Sequence, residues 1–285
     1  MAIDERRAVK VIQTRGIRET TAHILDRPWD QNRLPSTQVL AGRSIDFDAG
    51  EGRKFRHEFD ATTVNWSVEG VPAEQSGGTA EYDAVESRDG VFFINYLTEL
   101  REVAVTLVAD LEQGCGLVLR NILVSSTGGH DFRSNVPSWR EANLRQESFS
   151  CRIAGVDPAG PLPHLSSELV GKRAYAQYAD DIIAEHVYLN SQRLVWQGLG
   201  YDKYDSDAGC EHSTTWKVGE KLYLLTWVEE NQPVGAALLM DFEAMRNTGM
   251  IFGIDESGLV HHLCGAKLGL LGEVSYPRGY EPAHF

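Results

Sequence analysis

Two residues, Glu81 and His212, are the strongest candidates for proton transfer in this sequence. Glu81 lies in the segment EYDAV, where strand alternation would put Asp83 on the same side. Burial and a neighbouring like charge raise the pKa of a carboxyl group, which suits a general acid or base. His212 suits a proton shuttle because imidazole titrates near neutral pH. The alternatives are a solvent-facing carboxylate and a structural histidine.

Aromatic side chains supply the other candidates. Tyr178 could donate a phenolic hydrogen bond to a ligand oxygen, although packing in a core would also explain a buried tyrosine. A flat aromatic ligand would be bound between flat aromatic side chains. Each residue that could form such a wall could instead be an ordinary member of a hydrophobic core. These candidate ligand-binding residues are Trp66, Tyr175, Trp196, Trp216, Tyr223 and Trp227.

Metal and nucleotide sites find little support in the sequence. His261 and His262 are adjacent on a predicted strand, so only one can face a site, and we count His261 among the ligand-binding candidates. Metal-binding spacings such as H-x-H, H-E-x-x-H and C-x-x-C are missing, as are the glycine-rich phosphate-binding motifs. We therefore expect no metal and no cofactor.

The elements that must position these residues occur twice. Matching blocks recur in the same order at nearly constant spacing: LAGR at 40–43 with LVGK at 169–172, Trp66 with Trp196, and VESRDGVFFINY at 85–96 with WKVGEKLYLLTW at 216–227. The offsets are 129, 130 and 131 residues, so the register hardly drifts. An internal duplication explains this pattern.

Carboxylates also recur at matched places, before predicted turns. They are Asp110 and Glu112 in one copy and Asp241 and Glu243 in the other. Carboxylates at such positions commonly accept hydrogen bonds from free backbone N–H groups. We expect these four residues to be structural.

The fold class predicted for both copies is all-β. Segments of 6–10 residues rich in Val, Tyr, Phe, Trp and Thr are separated by turn signals, and in the most apolar segments both alternating faces are hydrophobic. Two tandem antiparallel β-barrels, packed on each other, would cover both faces. We predict an N-terminal extension (1–37), a first barrel (38–150), a proline-rich linker (151–164), a second barrel (165–270) and a tail (271–285).

Charge and composition narrow the partners. The chain carries 27 Lys and Arg against 41 Asp and Glu, a formal net charge of −14, which disfavours nucleic acid and anionic membranes. No apolar run reaches the roughly 20 residues of a membrane span, and the charged N-terminus lacks the apolar core of a secretory signal. We expect a cytoplasmic protein with four reduced cysteines and a small hydrophobic or aromatic ligand. The two-sided strands leave a homodimer open.

Several blocks resemble the MoaF-like family of lipocalin-like proteins. They are LAGR at 40–43, EYDAVESRDGVFF at 81–93, and the run 103–112 with its Asp-x-Glu ending. The resemblance spans both copies, from about residue 38 to 268. It implies lipocalin-like barrels and no established reaction.

The same blocks are more distantly similar to phenolic acid decarboxylases, single barrels that remove CO₂ from hydroxycinnamate-type acids without a cofactor. Glu81 falls on that family's carboxylate, with His212 at the same place in the second copy. Tyr178 matches one of its paired tyrosines. Where that family has a carboxylate-clamping arginine, this chain has Ser67 and Gln197.

The leading functional hypothesis is a cofactor-independent enzyme, a lyase or isomerase/cyclase, that binds a small apolar or aromatic metabolite in a barrel lumen and acts by general acid/base chemistry. We expect the reactive lumen in the second copy, with His212 as proton shuttle, Tyr178 as oxygen-binding donor and Glu81 as an accessory group. The alternatives are a non-catalytic lipocalin-like binding protein and an assembly scaffold. A titrating pair in the lumen would favour the enzyme, and a purely apolar lumen would favour storage.

Overall fold

The structure is a computed structural model that describes residues 29–71, 76–126, 128, 131–133, 136–199 and 208–282. Residues 1–28 of the predicted extension lie outside this range. A short 3-10 helix at Trp139–Glu141 precedes β8. The strands are β1 (Ser44–Asp48), β2 (Lys54–Phe59), β3 (Thr63–Val68), β4 (Gly77–Arg88), β5 (Val91–Leu97), β6 (Val103–Asp110), β7 (Cys115–Ser125), β8 (Ala142–Ile153), β9 (His164–Leu165), β10 (Lys172–Ala179), β11 (Ile182–Asn190), β12 (Arg193–Leu199), β13 (Ala208–Gly219), β14 (Leu222–Val228), β15 (Val234–Asp241), β16 (Arg246–Asp255) and β17 (Gly258–Glu273).

Strands β1 to β8 form the first barrel. Each strand pairs antiparallel with the next, and β1 pairs with β8 through Phe47 opposite Ile153, which closes the sheet. Strand β2 shows why the ring closes around an apolar interior, since its residues alternate exposed and buried along KFRHEF. Closure removes the unpaired edges that an open sheet would expose.

Strands β10 to β17 form the second barrel in the same order. The ring closes where Lys172 of β10 pairs with Glu273 of β17. The two-residue strand β9 adds to β13, with Leu165 opposite Trp216, at a stretch of β13 that β12 does not reach. The prediction of two tandem antiparallel barrels is confirmed. Their last strands end at Ile153 and Glu273, three residues beyond each predicted barrel end.

The barrels pack against each other through the outer faces of β5–β7 and β14–β16. One buried cluster contains residues of both barrels, among them Phe93, Val108, Leu224, Leu239 and Phe252. Two further clusters fill the two lumens. Strands β6 and β15 are buried at every residue, which explains why both of their faces are apolar in sequence.

Polar contacts also cross this interface. Arg88 donates two hydrogen bonds to the buried Asp241, at 2.5 and 2.7 Å. The carboxylates predicted to be structural are confirmed in that role at two positions, because Asp110 and Asp241 each accept bonds from backbone amides two and three residues ahead. His261 and Asn95 form a 2.6 Å hydrogen bond between the barrels.

The segment from Trp29 to Thr37 crosses from the second barrel to the first. Trp29 contacts Tyr178 edge-on, with ring centroids 4.8 Å apart, and Gly265 donates its N–H to the Trp29 carbonyl. At the other end Thr37 donates its N–H to Ala84 of β4. Residues that precede the first barrel in sequence thus cover the second barrel.

Candidate functional site

A histidine, a tyrosine and a tryptophan meet inside the first barrel. His57 and Tyr96 are each 2% exposed, and His57 Nε2 lies 3.0 Å from Tyr96 Oη. Trp66 stands opposite His57 in the β2–β3 ladder, and its ring stacks on Tyr96 at 6.3 Å with an interplanar angle of 30°. Three strands therefore bring one flat wall and one hydrogen-bonded pair to the same place.

The local pattern of β2 explains the position of the histidine. Phe55, His57 and Phe59 alternate with exposed residues, so the imidazole occupies a place where its neighbours on the same face are apolar. A buried polar group costs free energy unless it is hydrogen-bonded. Tyr96 satisfies one ring nitrogen, whereas His57 Nδ1 has no partner among the described residues.

A small cavity adjoins this pair. Its volume is about 30 Å³, which is room for one or two water molecules and far less than the roughly 300 Å³ of a typical ligand pocket. Arg120 lines it, as does Trp66, whose buried Nε1 has no partner in the described part of the chain. The remaining lining residues are Phe55, His57, Val68, Val71, Tyr96, Thr98, Val103, Val105 and Val118.

Arg120 is the one cation among the lining residues of this cavity. It pairs with Glu147 of β8 at 3.2 Å, and both side chains are 30% exposed, so the ion pair stands at the mouth of the lumen. Glu147 is shared with Arg145, at 3.0 Å.

Burial shifts the titration of the His57–Tyr96 pair in opposite directions. It lowers the pKa of His57 to about 3 and raises the pKa of Tyr96. The charge of Arg120 partly offsets the increase for Tyr96. Both groups are therefore neutral near pH 7. The pair can donate and accept hydrogen bonds toward a ligand without carrying charge.

An equivalent cluster lies inside the second barrel. His186 stands opposite Trp196, as His57 stands opposite Trp66, and contacts Trp227 edge-on at 5.9 Å. Burial lowers the pKa of His186 to about 4, against the opposing charge of Glu185. His186 Nδ1 has no partner among the described residues.

Two predicted site residues, Glu81 and His212, do not face a lumen. Both side chains are exposed, so the expectation that they project inward is wrong. The inner positions of β13 are the buried Glu211 and Ser213 on either side of His212, and Ala80 takes the place of Glu211 in the first barrel. A carboxylate is usually the more exposed of two such neighbours, but in β13 Glu211 is buried and His212 is exposed. The sequence therefore predicted the wrong inner face for this strand.

Tyr178 does lie in the lumen of the second barrel, where it is 3% exposed. Burial raises its pKa, and a hydrogen bond to Asn247 acts in the opposite direction. Trp29 covers its ring. Its role as an oxygen-binding donor stays a prediction.

Three aromatic candidates lie outside the lumens. Trp216 and His261 belong to the contact between the barrels, which corrects their expected place in a ligand wall. Tyr175 lies on the outer wall, because Ala174 and Ala176 beside it face inward. Next to each of these three residues, both alternating sets of side chains are half-buried or buried, so alternation could not separate the two faces there.

The other aromatic candidates do line the lumens. Trp66 packs on the first core, and Tyr223 and Trp227 belong to the second. Tyr223 donates a 2.6 Å hydrogen bond to Glu168, and Trp196 Nε1 donates to Glu211 at 3.1 Å. Their ligand-binding roles stay predictions.

Metal coordination has no obvious place in the described structure. Within those residues no group of three or more His, Cys, Asp or Glu side chains is arranged to hold a metal ion. All four cysteines are free thiols. No helix in the described ranges has the length and hydrophobicity that crossing a membrane requires.

The sequence analysis did not assign His57 or His186 to a barrel lumen. They are 129 residues apart, which is the offset of the first repeated block, so the duplication itself would have paired them. Neither histidine belongs to a block of matching neighbours, so a comparison of blocks alone does not pair them. Cross-strand pairing with Trp66 and Trp196 makes their equivalence plain.

Comparisons with known proteins agree with the duplicated architecture. Residues 21–123 match the MoaF N-terminal domain, and residues 163–274 match the MoaF C-terminal domain. The Protein MoaF of Klebsiella aerogenes is 28% identical over 233 residues, covering 79% of this chain and 83% of that protein. A crystal structure from Burkholderia vietnamiensis, described as a "putative beta-lactamase", is 18% identical with a TM-score of 0.32 and covers 36% of this chain and 96% of that one. The chain therefore belongs to the MoaF family, with the N-terminal domain in the first barrel and the C-terminal domain in the second.

Proposed function

We propose that the first barrel binds a small organic acid in its lumen. The carboxylate would pair with Arg120, and the apolar body would lie against Trp66 and Tyr96. The observation that carries this proposal is the convergence on one cavity of a guanidinium, an unpaired indole N–H and an unpaired imidazole nitrogen of His57. A few polar groups in an otherwise apolar pocket are typical of small-molecule sites.

The cavity must enlarge to admit such a ligand, since its present volume is about 30 Å³. Separation of Arg120 from Glu147 would open the mouth and free a guanidinium that binds carboxylates in a bidentate fashion. The ligand carboxylate thus takes the place of Glu147. The net charge of −14 opposes an approaching anion, but salt screens such repulsion beyond roughly 8 Å.

Binding is better supported than catalysis. A general acid or base works best when its pKa lies near the working pH, whereas the pKa of His57 is about 3 and that of Tyr96 is raised. The second candidate is the cofactor-independent acid/base enzyme, and the His57–Tyr96 hydrogen bond favours it. A bound carboxylate near His57 would raise its pKa toward neutrality.

Calorimetric titration with cinnamate and benzoate tests the proposal. Arg120→Gln should weaken binding at least tenfold, because a charge-assisted hydrogen bond contributes roughly 1.5–3 kcal/mol. Glu147→Gln should strengthen it by removing the competing carboxylate. Arg56→Gln, which removes an exposed ion pair on the outer wall of the same barrel, is the matched control and should change nothing.

Equal affinity in wild type and Arg120→Gln would contradict the proposal. Turnover is tested separately by incubating the same acids with wild type and Tyr96→Phe and analysing the products by mass spectrometry. An enzyme would lose turnover in Tyr96→Phe while still binding the acid. A binding protein would return the acid unchanged from both.

A further inference from the structure

The two barrels share a histidine–tryptophan framework but carry opposite charge around it. In the first barrel the cation Arg120 faces the lumen, opposite Val105 in the β6–β7 ladder. The matching position in the second barrel, opposite Ala236, is the apolar Ile251. At this position the second lumen therefore has an apolar side chain in place of the guanidinium.

Carboxylates stand in the second lumen where the first barrel has neutral residues. At the 131-residue offset, Glu211 replaces Ala80 and Glu229 replaces Thr98. His212 and Val228 form the last pair of the β13–β14 ladder, and Glu211 and Glu229 are the residues just beyond it on the two strands. The charge of Glu211 acts on Glu229, so the two carboxyl groups lie close enough to interact.

Neither carboxylate has a cationic partner among the described residues. Glu211 is 3% exposed and accepts hydrogen bonds from Trp196 Nε1 at 3.1 Å and from the Glu230 N–H at 2.8 Å. The half-buried Glu229 accepts one from Gln232 Nε2 at 2.6 Å. Arg193, whose charge lowers the pKa of Glu211, forms its ion pair with Glu230.

The backbone is shaped to hold this arrangement. A Cβ atom at residue 209, where the chain has glycine, would lie 2.5 Å from Trp196 Nε1 and would collide with Glu211 Oε1. Gly209 therefore leaves space for the hydrogen bond between the indole and the carboxylate. Beside it, His186 is 97% buried, with its Nδ1 unpaired in the described part of the chain and its ring in edge contact with Trp227.

We propose that the second barrel binds a small organic cation, a primary or quaternary ammonium compound with an apolar body, at this inner face. The ammonium group would lie between Glu211 and Glu229, and the apolar body would lie against Trp196 and Trp227. Two neighbouring carboxylates would repel each other if both were ionised, and a cation between them would remove that cost. Indole rings add cation–π attraction, which quaternary ammonium ligands exploit.

The titration of the pair agrees with a missing cation. Burial, followed by the charges of Glu211 and Asp255, raises the pKa of Glu229 to about 8, and burial also raises the pKa of Glu211. A bound ammonium would lower both values, because an opposite charge favours the ionised carboxylate.

The test is calorimetric titration of the full chain with benzylamine and benzyltrimethylammonium at pH 7.5. The wild type should bind each at one site. Glu211→Gln and Glu229→Gln should each weaken binding roughly tenfold, the loss expected when a charged acceptor becomes neutral. Glu220→Gln removes an exposed carboxylate in the β13–β14 turn, at the end of the hairpin away from Glu211 and Glu229, and should leave affinity unchanged.

Two results would overturn this inference: equal binding by wild type and the Glu211→Gln/Glu229→Gln double variant, or no binding by a wild type that is folded by circular dichroism. The second result would mean that the two carboxyl groups serve structure alone. Should Glu211→Gln fail to fold, the half-buried Glu229→Gln carries the test. Arg120→Gln should not change amine binding. Loss of the organic acid site in the first barrel would therefore leave the amine site unaffected, and the two proposals are tested independently.

Discussion

Lowering the pH from 7.5 to 5 should destabilise the folded chain through His57. Burial lowers the pKa of this side chain to about 3 in the folded state, whereas histidine in an unfolded chain titrates near 6.5. Between pH 6.5 and 3 the imidazole is therefore protonated in the unfolded state but neutral in the folded state. The contribution of neutral His57 to stability is complete above about pH 6.5 and is lost as the pH falls toward 3. At pH 5, which is 1.5 units below the unfolded value, the loss from His57 is about 2 kcal/mol.

Urea unfolding followed by tryptophan fluorescence at both pH values measures this loss. His57→Gln keeps a hydrogen-bonding group near Tyr96 but cannot titrate. Its free energy of unfolding, compared with wild type, should improve by about 2 kcal/mol between pH 7.5 and 5. His212→Gln, which removes an imidazole at an exposed position, is the matched control, and its stability difference from wild type should be the same at both pH values.

Other buried groups also respond to pH, but they are present in both proteins and cancel in the comparison. His186 and His261, each with a pKa near 4, act in the same direction as His57, and Glu229, with a pKa of about 8, acts in the opposite direction. If the stability difference between wild type and His57→Gln is the same at both pH values, the neutral His57–Tyr96 pair is refuted.

Two predictions concern the framework that holds the sites. Arg88→Met should destabilise the protein by about 3 kcal/mol, because it leaves the buried Asp241 without its cation. Urea unfolding at pH 7 measures this loss, and a value below about 1 kcal/mol would show that the contact between the barrels does not depend on this pair. Gly116→Ala should lower the free energy of unfolding by roughly 1–3 kcal/mol, since a Cβ there would lie 2.5 Å from the Val108 carbonyl oxygen and 2.6 Å from Phe47. Thermal unfolding measures the change, and an unchanged melting temperature would contradict the tight packing of β7.

The fold was predictable because the duplication shows twice where strands begin and end. Residues 85–96 and 216–227, matched in sequence at one offset, occupy the same β4–β5 and β13–β14 hairpins. The two-sided hydrophobicity of β6 and β15 had one explanation that left no apolar face in water, namely two barrels packed against each other through these strands.

The face of each strand was harder to predict. In β13 the inner residues Glu211, Ser213 and Thr215 are polar, whereas Trp216 and Val218 on the outer and interface side are apolar. Hydrophobic alternation assigns the apolar set to the lumen, which is the reverse of the structure. Polar side chains are tolerated inside because hydrogen bonds satisfy them, as Trp196 and a backbone amide do for Glu211, and such partners are invisible in sequence.

The paired histidines provide the strongest argument that both lumens bind ligands. A buried imidazole with an unpaired nitrogen costs stability, and a leucine or phenylalanine at the same position would not. Partnership with Tyr96 explains His57 in part, but the equivalent of Tyr96 in the second barrel is Trp227, which has no oxygen to offer His186. His186 nevertheless occupies the same place opposite a tryptophan. The two histidines therefore support the proposals that each lumen binds a ligand, because packing alone does not explain a costly residue at the same place in both barrels.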